Sequence, residues 1–157
     1  MSNVLVIAEI VAGTLRKVTL DTLAFARQTA DLTGGQVHVL VLGSGVGDHV
    51  QQLATGGFGA DVVHVADDGV FGDYVAENYA PAVVKAAQAV DATVVCAASS
   101  TFGKDLLPRA AAMLAAGMVS DAIEVFDDGG LMFKRPLWAG NVITTVEVVS
   151  PVKFVSV

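Results

Sequence analysis

The feature that most constrains the fold is the alternation, through residues 1–116, of short apolar β-branched runs with longer amphipathic runs. A parallel strand is buried on both faces and is apolar throughout, whereas a surface helix is apolar along one stripe only. Strands that follow one another through helices become parallel, with right-handed connections. The alternation therefore predicts a three-layer, Rossmann-like α/β fold, in which a parallel sheet lies between two layers of helices.

The same pattern gives bounds for these elements. The predicted strands are Asn3–Glu9, Gln36–Leu42, Asp61–Val65 and 93–98, and the predicted helices are Thr19–Leu32, Asp48–Thr55, Asp73–Val90 and 102–116. Pro81 lies inside the third helix, so we expect a kink or a break there. The first and fourth strands are the most uniformly apolar and should be central, which predicts the spatial order 3-2-1-4.

After Gly117 the pattern changes to strands separated by turns. The predicted strands of this part are Val119–Phe126, Leu131–Leu137, Val142–Val149 and Val152–Val157. Turn-forming residues separate them, at Asp127-Asp128-Gly129-Gly130 and at Ala139-Gly140-Asn141. We expect this part to add antiparallel strands at a sheet edge or in a small second sheet. A length of 157 residues predicts one α/β domain over 1–157.

Charge and hydropathy limit the partners of the chain. A net charge of −7 makes nucleic acid and anionic membrane surfaces poor partners. The mean hydropathy of +0.62 is high, but the longest apolar run, Ala110–Val119, is far shorter than the roughly 20 residues of a membrane span. Met1-Ser2-Asn3 leads into the first strand without a basic presequence, which favours the bacterial cytoplasm. The single Cys96 is interpreted as a small buried residue.

The turn between the fourth strand and the next helix is the best candidate site. Its residues are Ser99, Ser100, Thr101, Gly103 and Lys104. The hydroxyl groups can cap the helix, Gly103 permits close backbone approach, and such a turn is where α/β proteins bind anions or nucleotides. However, Asp105 after Lys104 departs from the spacing of a P-loop. With no nucleophile, general base or metal-ligand set beside the turn, no catalytic residue and no metal ligand is predicted.

Other polar motifs have ordinary structural explanations. Gly43-Ser44-Gly45-Val46-Gly47 lacks the glycine spacing of a dinucleotide loop and is interpreted as a flexible loop before a helix. The paired carboxylates Asp67-Asp68 and Asp127-Asp128 should accept hydrogen bonds from nearby backbone N–H groups. The three histidines show no metal-ligand spacing. They are His38, His49 and His64.

Three motifs, in this order along the chain, resemble the α subunit of electron transfer flavoprotein. They are Ser99–Ala111, Val119-Ser120-Asp121-Ala122-Ile123 and Arg135-Pro136-Leu137-Trp138-Ala139-Gly140-Asn141. The opening strands fit the same subunit, so the resemblance covers the whole chain. Its departures are mild: Trp138 stands where tyrosine is commoner, and Met118-Val119 stands where Ala-Pro is more usual.

The resemblance implies the N-terminal domain of that subunit, with an adenine nucleotide α-hydrolase-like fold and no catalytic site of its own. In the family a second domain holds most of the FAD contacts, and Val152–Val157 resembles the last strand before that domain, so the flavin-binding half is expected to be absent from this chain. FAD is therefore expected in the full-length complex and not on this chain alone, and AMP on the β subunit only. The implied role is assembly with the β subunit, which supports electron transfer from acyl-CoA dehydrogenase-type donors of fatty acid oxidation to a quinone reductase.

Interface residues are expected on the same motifs. They are Arg109, Asp121, Arg135, Trp138 and Asn141. Arg109 is the preferred candidate, because a guanidinium can bridge two carboxylates or carbonyls across a boundary. The alanines of helix 102–116 suit either a partner interface or internal packing. The alternative function is a stand-alone, universal-stress-like adenine-nucleotide binder, although only Gly103 occurs before Gly117 where that class requires Gly-x-x-Gly.

Overall fold

Strands and helices alternate through the first part of the chain, and strands alone follow. The computed structural model describes residues 2–157, and Met1 lies outside it. The strands are β1 (Asn3–Ile7), β2 (Ile10–Val11), β3 (Thr14–Leu15), β4 (Val37–Gly43), β5 (Val62–Asp67), β6 (Ala92–Ala97), β7 (Gly117–Val119), β8 (Glu124–Asp127), β9 (Leu131–Leu137), β10 (Val142–Glu147) and β11 (Lys153–Ser156). The helices are α1 (Val18–Thr33), α2 (Gly47–Thr55), α3 (Ala76–Ala89) and α4 (Thr101–Met113).

Six strands form one parallel sheet in the order β5-β4-β1-β6-β11-β7. The chain builds outward from β1 through β4 to β5, and then crosses to the other side of β1 to form β6. The order predicted for the first four strands is confirmed, with the first strand inside the sheet. The point where the order reverses lies between β1 and β6.

Helices cover both faces of this sheet because its strands are apolar on both faces. Within β1, Val4 and Val6 belong to the core on the side of α1 and α2, whereas Leu5 and Ile7 belong to the core under α3 and α4. All four side chains are at most 1% exposed. The predicted three-layer α/β class is confirmed.

A second, antiparallel sheet packs on the α1 side, with the strand order β10-β9-β8. Phe133 of β9 is fully buried and stacks on Phe25 of α1, with ring centroids 6.5 Å apart. This packing buries one face of the small sheet and ties it to the main one. The small second sheet predicted from the C-terminal strand pattern is confirmed.

Part of the C-terminal prediction is wrong. The predicted strand Val119–Phe126 is divided between β7 and β8, because the chain turns at Asp121, whose φ is +57°. In addition, β7 and β11 join the main sheet as parallel strands instead of adding to its edge antiparallel. Phe154 and Val155 of β11 are both fully buried on opposite faces, a pattern that requires a sheet covered on both sides.

The helix bounds also differ from the predicted ones. Helix α3 begins three residues after Asp73 and continues through Pro81 without a break, since a proline in the second turn removes only one hydrogen bond. Helix α4 ends at Met113, and Ala115 beyond it has a φ of +49°. The short hairpin of β2 and β3 was not predicted. None of the helices within residues 2–157 is long and apolar enough to cross a membrane.

Two histidines meet on the neighbouring strands β4 and β5. Nδ1 of His38 lies 2.8 Å from Nε2 of His64, and the rings are stacked. His38 is 7% exposed, and its Nε2 has no hydrogen-bond partner in the described part of the chain. Burial, assisted by His64, lowers the pKa of His38, and the nearby Asp61 carboxylate opposes this shift. The neutral form of His38 is therefore the one that fits the fold.

We expect the fold to lose stability as the pH falls from 7 to 5. Because the pKa of His38 is lower in the folded than in the unfolded chain, stability is highest above the ordinary pKa of about 6.5 and decreases as the pH falls below it. Urea unfolding at pH 7 and pH 5 measures the difference. The difference in the free energy of unfolding between the two pH values should be smaller in His38→Phe and unchanged in the control His49→Phe. An equal difference in both variants would contradict the assignment of the pH dependence to His38.

Candidate functional site

The carboxyl ends of β1 and β6 flank the point where the strand order reverses. In open α/β sheets, ligands bind in the crevice at this point. A crevice with a cavity volume of about 540 Å³ opens here, which is within the size range of small-molecule pockets. Its polar lining comes from Glu9, Asp73, Tyr74, Thr101 and Asp105. Size alone would thus admit a nucleotide.

Ser100 connects the end of β1 to the start of α4. As the N-cap of α4, its Oγ accepts a hydrogen bond from the N–H of Gly103 at 3.2 Å. The same hydroxyl donates to Oε2 of Glu9 at 2.6 Å, and Glu9 is only 5% exposed. Helix N-termini favour anions, and here a carboxylate of the chain itself lies beside the helix start.

The crevice is acidic. Glu9, Asp73 and Asp105 contribute carboxylates, and none of the residues described from Ser2 to Val157 adds a cationic side chain to the lining. The hydroxyl of Tyr74 donates to Oδ2 of Asp105 at 2.7 Å. Burial and this contact raise the pKa of Tyr74, so it stays a neutral phenol. A phosphate placed in the crevice would therefore meet like charges without a compensating cation.

The neighbouring glycine loop is filled in a similar way. The N–H groups of Gly45 and Val46 donate to the two carboxylate oxygens of Asp67, at 2.7 and 3.1 Å. These are backbone donors of the kind that would bind a phosphate in a dinucleotide loop. The structural interpretation of Gly43–Gly47 agrees with this arrangement, because the loop holds an internal carboxylate.

The paired carboxylates form the predicted backbone hydrogen bonds. Asp68 accepts from the N–H of Val70 at 2.9 Å, and Asp127 accepts from the N–H of Gly130 at 3.1 Å.

Cys96 is fully buried, and burial raises the pKa of its thiol to about 12, so its interpretation as a small core residue is confirmed. Within residues 2–157, no group of three or more His, Cys, Asp or Glu could hold a metal ion.

Ser99 and Lys104 interact with the segment after β7 and with β11. Oγ of Ser99 lies 2.8 Å from Oγ of Ser156, which accepts from the N–H of Asp121 at 2.9 Å. Nζ of Lys104 lies 2.9 Å from Oδ1 of Asp121. This ion pair lowers the pKa of Asp121. The turn residues thus hold two parts of the sheet together, and the only cation among them is paired with a carboxylate.

The expected interface residues lie in separate places. Arg109 on α4 forms an ion pair with Glu77 on α3 at 2.9 Å, and both side chains are about half exposed. Asp121 lies beside the turn, and Arg135 on β9 donates to Oγ of Ser120 at 2.9 Å. After Lys104, the positive charge of Arg135 also helps to lower the pKa of Asp121.

The other two expected interface residues form the tip of the β9–β10 hairpin. Trp138 is 78% exposed. The side-chain amide of Asn141 donates to the carbonyl oxygen of Trp138 at 2.8 Å, which fixes the turn. The structure therefore places Trp138 and Asn141 together, in a part of the fold different from that of Arg109.

Sequence analysis missed most of the crevice. Asp73 was assigned to a helix, and the contact between Tyr74 and Asp105 joins residues 31 positions apart. Glu9 could have been found, since it is the first charged residue after an apolar parallel strand and such positions face the ligand side of the sheet. The structure brings it to Ser100, 91 residues away in the chain.

Fold and site together define an α/β domain whose crevice at the reversal of strand order is lined by its own carboxylates, one of them hydrogen-bonded to the N-cap of α4. The model of the electron transfer flavoprotein domain family matches residues 4–157, and the chain belongs to this family. The predicted assignment to the N-terminal domain of the α subunit is confirmed.

Relatives agree with this assignment. Electron transfer flavoprotein subunit alpha of Pseudomonas aeruginosa is 37% identical over 154 residues, covering 98% of this chain and 47% of the relative. The same subunit of Bacillus subtilis is 32% identical over 156 residues, covering 99% of this chain and 47% of the relative. The chain thus spans about half the length of these relatives. A solved universal stress protein from Archaeoglobus fulgidus overlays with a TM-score of 0.45 at 17% identity, covering 70% of this chain and 88% of that chain.

The family's name implies a flavin, and the crevice residues do not fit the phosphates of FAD. Glu9 lies where a phosphate would approach the start of α4, and Asp67 takes the N–H groups of the glycine loop. Asp73 and Asp105 add negative charge to the lining. No flavin chemistry is therefore assigned to residues 2–157.

Gly103 is required by the packing of α4 on β6. A Cβ at this position would overlap the carbonyl oxygen of Ala98. We expect Gly103→Ala to lower the free energy of unfolding by about 1–3 kcal/mol, because the helix must move away from the strand. Gly47→Ala is the matched control at a helix position with open space, and should be neutral or stabilising by up to about 1 kcal/mol. Equal effects of the two changes in urea unfolding would refute the packing argument.

Proposed function

We propose that this chain is an assembly domain of an electron transfer flavoprotein α subunit. It packs against the β subunit and supports FAD-mediated electron transfer from acyl-CoA dehydrogenase-type donors to a quinone reductase. In this proposal FAD is bound in the full-length complex through residues outside this chain, AMP is bound by the β subunit, and the assembly works in the bacterial cytoplasm. The chain contributes structure and no catalytic group.

The observation that carries the proposal is that an internal carboxylate lies at each of the two positions where a phosphate could bind. Glu9 is hydrogen-bonded at the start of α4, and Asp67 occupies the glycine loop. A domain that keeps the architecture of a nucleotide binder while occupying its phosphate positions is suited to a structural role. The universal-stress-like alternative requires an open phosphate site, so ligand titration separates the two functions.

We expect the purified chain to be colourless and to bind neither FAD nor adenine nucleotides. The carboxylates that line the crevice repel a phosphate, and the N–H groups of Gly45, Val46 and Gly103 already have partners. Absorbance after incubation with FAD and calorimetric titration with AMP and ATP are the measurements. Stoichiometric flavin absorbance would overturn the assembly proposal as stated, and micromolar binding of AMP or ATP would favour the nucleotide-binding alternative.

The interface part of the proposal rests on Arg109 and on the residues of the second and third motifs. Arg109 is about half exposed, and its ion pair with Glu77 leaves other guanidinium N–H groups available for a partner's carboxylate or carbonyl. The alanine-rich surface of α4 does not compete for this role, because Ala110 and Ala111 are buried in the core. Asp121, Arg135, Trp138 and Asn141 complete the proposed interface set.

Replacing Arg109 should affect assembly far more than folding. An exposed ion pair contributes about 0–1 kcal/mol to stability, so Arg109→Ala should melt near the wild-type temperature. Loss of a charged hydrogen bond buried at the interface should weaken association with the β subunit by about 2–5 kcal/mol. Glu77→Ala is the control, since it breaks the same ion pair but keeps the guanidinium. Sedimentation with the β subunit decides; equal losses in both variants, or none in Arg109→Ala, would exclude an interface contact.

A further inference from the structure

Glu9 is an almost completely buried carboxylate with an unused oxygen atom. The residue is 5% exposed and lines the crevice beside α4. Its Oε2 accepts from Ser100, whereas its Oε1 accepts no hydrogen bond and forms no ion pair within residues 2–157. The main chain of Glu9 is held on both sides, because its N–H donates to Oγ1 of Thr19 at 3.0 Å and its carbonyl accepts from Arg16 at 2.9 Å. A buried charge held in this way is costly unless a group of opposite charge lies beside it.

The other carboxylates of the crevice add to this charge. Asp73 is exposed, and its side chain has neither a hydrogen bond nor an ion pair in the described part of the chain. Asp105 accepts from the neutral hydroxyl of Tyr74. The start of α4 is equivalent to about half an elementary positive charge, which offsets only a part of three carboxylates. A crevice lined by charges of one sign concentrates ions of the other sign.

The cation that fits this crevice is larger than a metal ion. In the chain from Ser2 to Val157, no group of three or more His, Cys, Asp or Glu could hold a metal, so the three carboxylates do not converge on one point. The cavity volume of about 540 Å³ admits an organic molecule. A cation with charges some distance apart can reach carboxylates that a single ion cannot.

Apolar and aromatic side chains complete the lining. Ile10, Val11, Tyr74 and Phe102 all border the crevice. The rings of Tyr74 and Phe102 meet edge to face, with centroids 4.9 Å apart. Aromatic rings attract ammonium groups, and apolar side chains pack against the methylene groups that carry them. Carboxylates combined with aromatic rings are therefore suited to an alkylammonium ion.

We propose that the crevice binds an aliphatic diamine or polyamine, with one ammonium group on Oε1 of Glu9 and a second on Asp73. The methylene chain of the ligand contacts Val11 and Phe102. The carboxylates that repel a phosphate are the groups that attract this ligand. The inference concerns the crevice alone and does not depend on association with the β subunit.

Calorimetric titration of the chain with butane-1,4-diamine at low ionic strength tests the proposal. We expect one molecule to bind per chain, with a Kd below about 1 mM. Glu9→Gln removes the charge but keeps an oxygen for Ser100, and should raise the Kd at least about tenfold. Asp73→Asn removes an exposed charge and should raise the Kd about threefold. Asp128→Asn is the matched control, since it makes the same change of charge in the turn between β8 and β9, and should alter the Kd less than about twofold.

Three outcomes would overturn the proposal. The first is the absence of binding to the wild-type chain at millimolar diamine. The second is equal binding of butane-1,4-diol, which has the same length and no charge. The third is an equal loss in Glu9→Gln and Asp128→Asn, which would assign the binding to the general attraction of a chain with a net charge of −7.

Circular dichroism shows whether Glu9→Gln is folded. If it is not, the comparison of Asp73→Asn with Asp128→Asn decides, because both carboxylates are exposed and neither change disturbs the core. Equal Kd values in these two variants would then overturn the proposal. None of these measurements involves the β subunit, so a failure here leaves the assembly role intact.

Discussion

The close approach of α4 to β6 at Gly103 determines what the ligand end of the sheet can hold. Without a side chain at Gly103 the helix lies against the carbonyl of Ala98, and the cap residue Ser100 comes within hydrogen-bond distance of Glu9 at the end of β1. The same close packing of the helix allows Lys104 to form an ion pair with Asp121, which follows β7 in the chain. One small residue therefore sets contacts to three other segments of the chain.

Those contacts are polar and are satisfied internally. An α/β sheet concentrates backbone N–H groups and helix N-termini at one end, and water, a ligand or the protein must satisfy them. Here the carboxylate of Asp67 at the end of β5 accepts from the N–H groups of Gly45 and Val46, and the hydroxyl of Ser100 accepts from the N–H of Gly103 and donates to Glu9. These internal hydrogen bonds are consistent with the proposed assembly role, since they occupy backbone donors that a phosphate would otherwise use.

Much of the architecture could be predicted because it depends on local patterns. Uniform apolarity of residues 4–7 requires burial on both faces, and this fixes β1 inside the sheet. The position of β11 in the sheet could not be predicted in the same way. Only Phe154 and Val155 of this four-residue strand are apolar, and so short a pattern fits an antiparallel edge as well as a parallel interior. The crevice depends on pairs such as Tyr74 with Asp105 and Glu9 with Ser100, whose distance along the chain leaves no periodic signal.

The position of β11 has a consequence for how the domain folds. This strand lies between β6 and β7. Its residue Lys153 pairs with Val94 of β6 and with Gly117 of β7, which precede it in the chain by 59 and 36 positions. During synthesis, the edge of β6 that faces away from β1 therefore stays unpaired until β11 has been synthesised. Closing such long loops is slow compared with helix formation. The last strand of the described chain to be synthesised therefore completes the main sheet in its interior, between two strands that are already present.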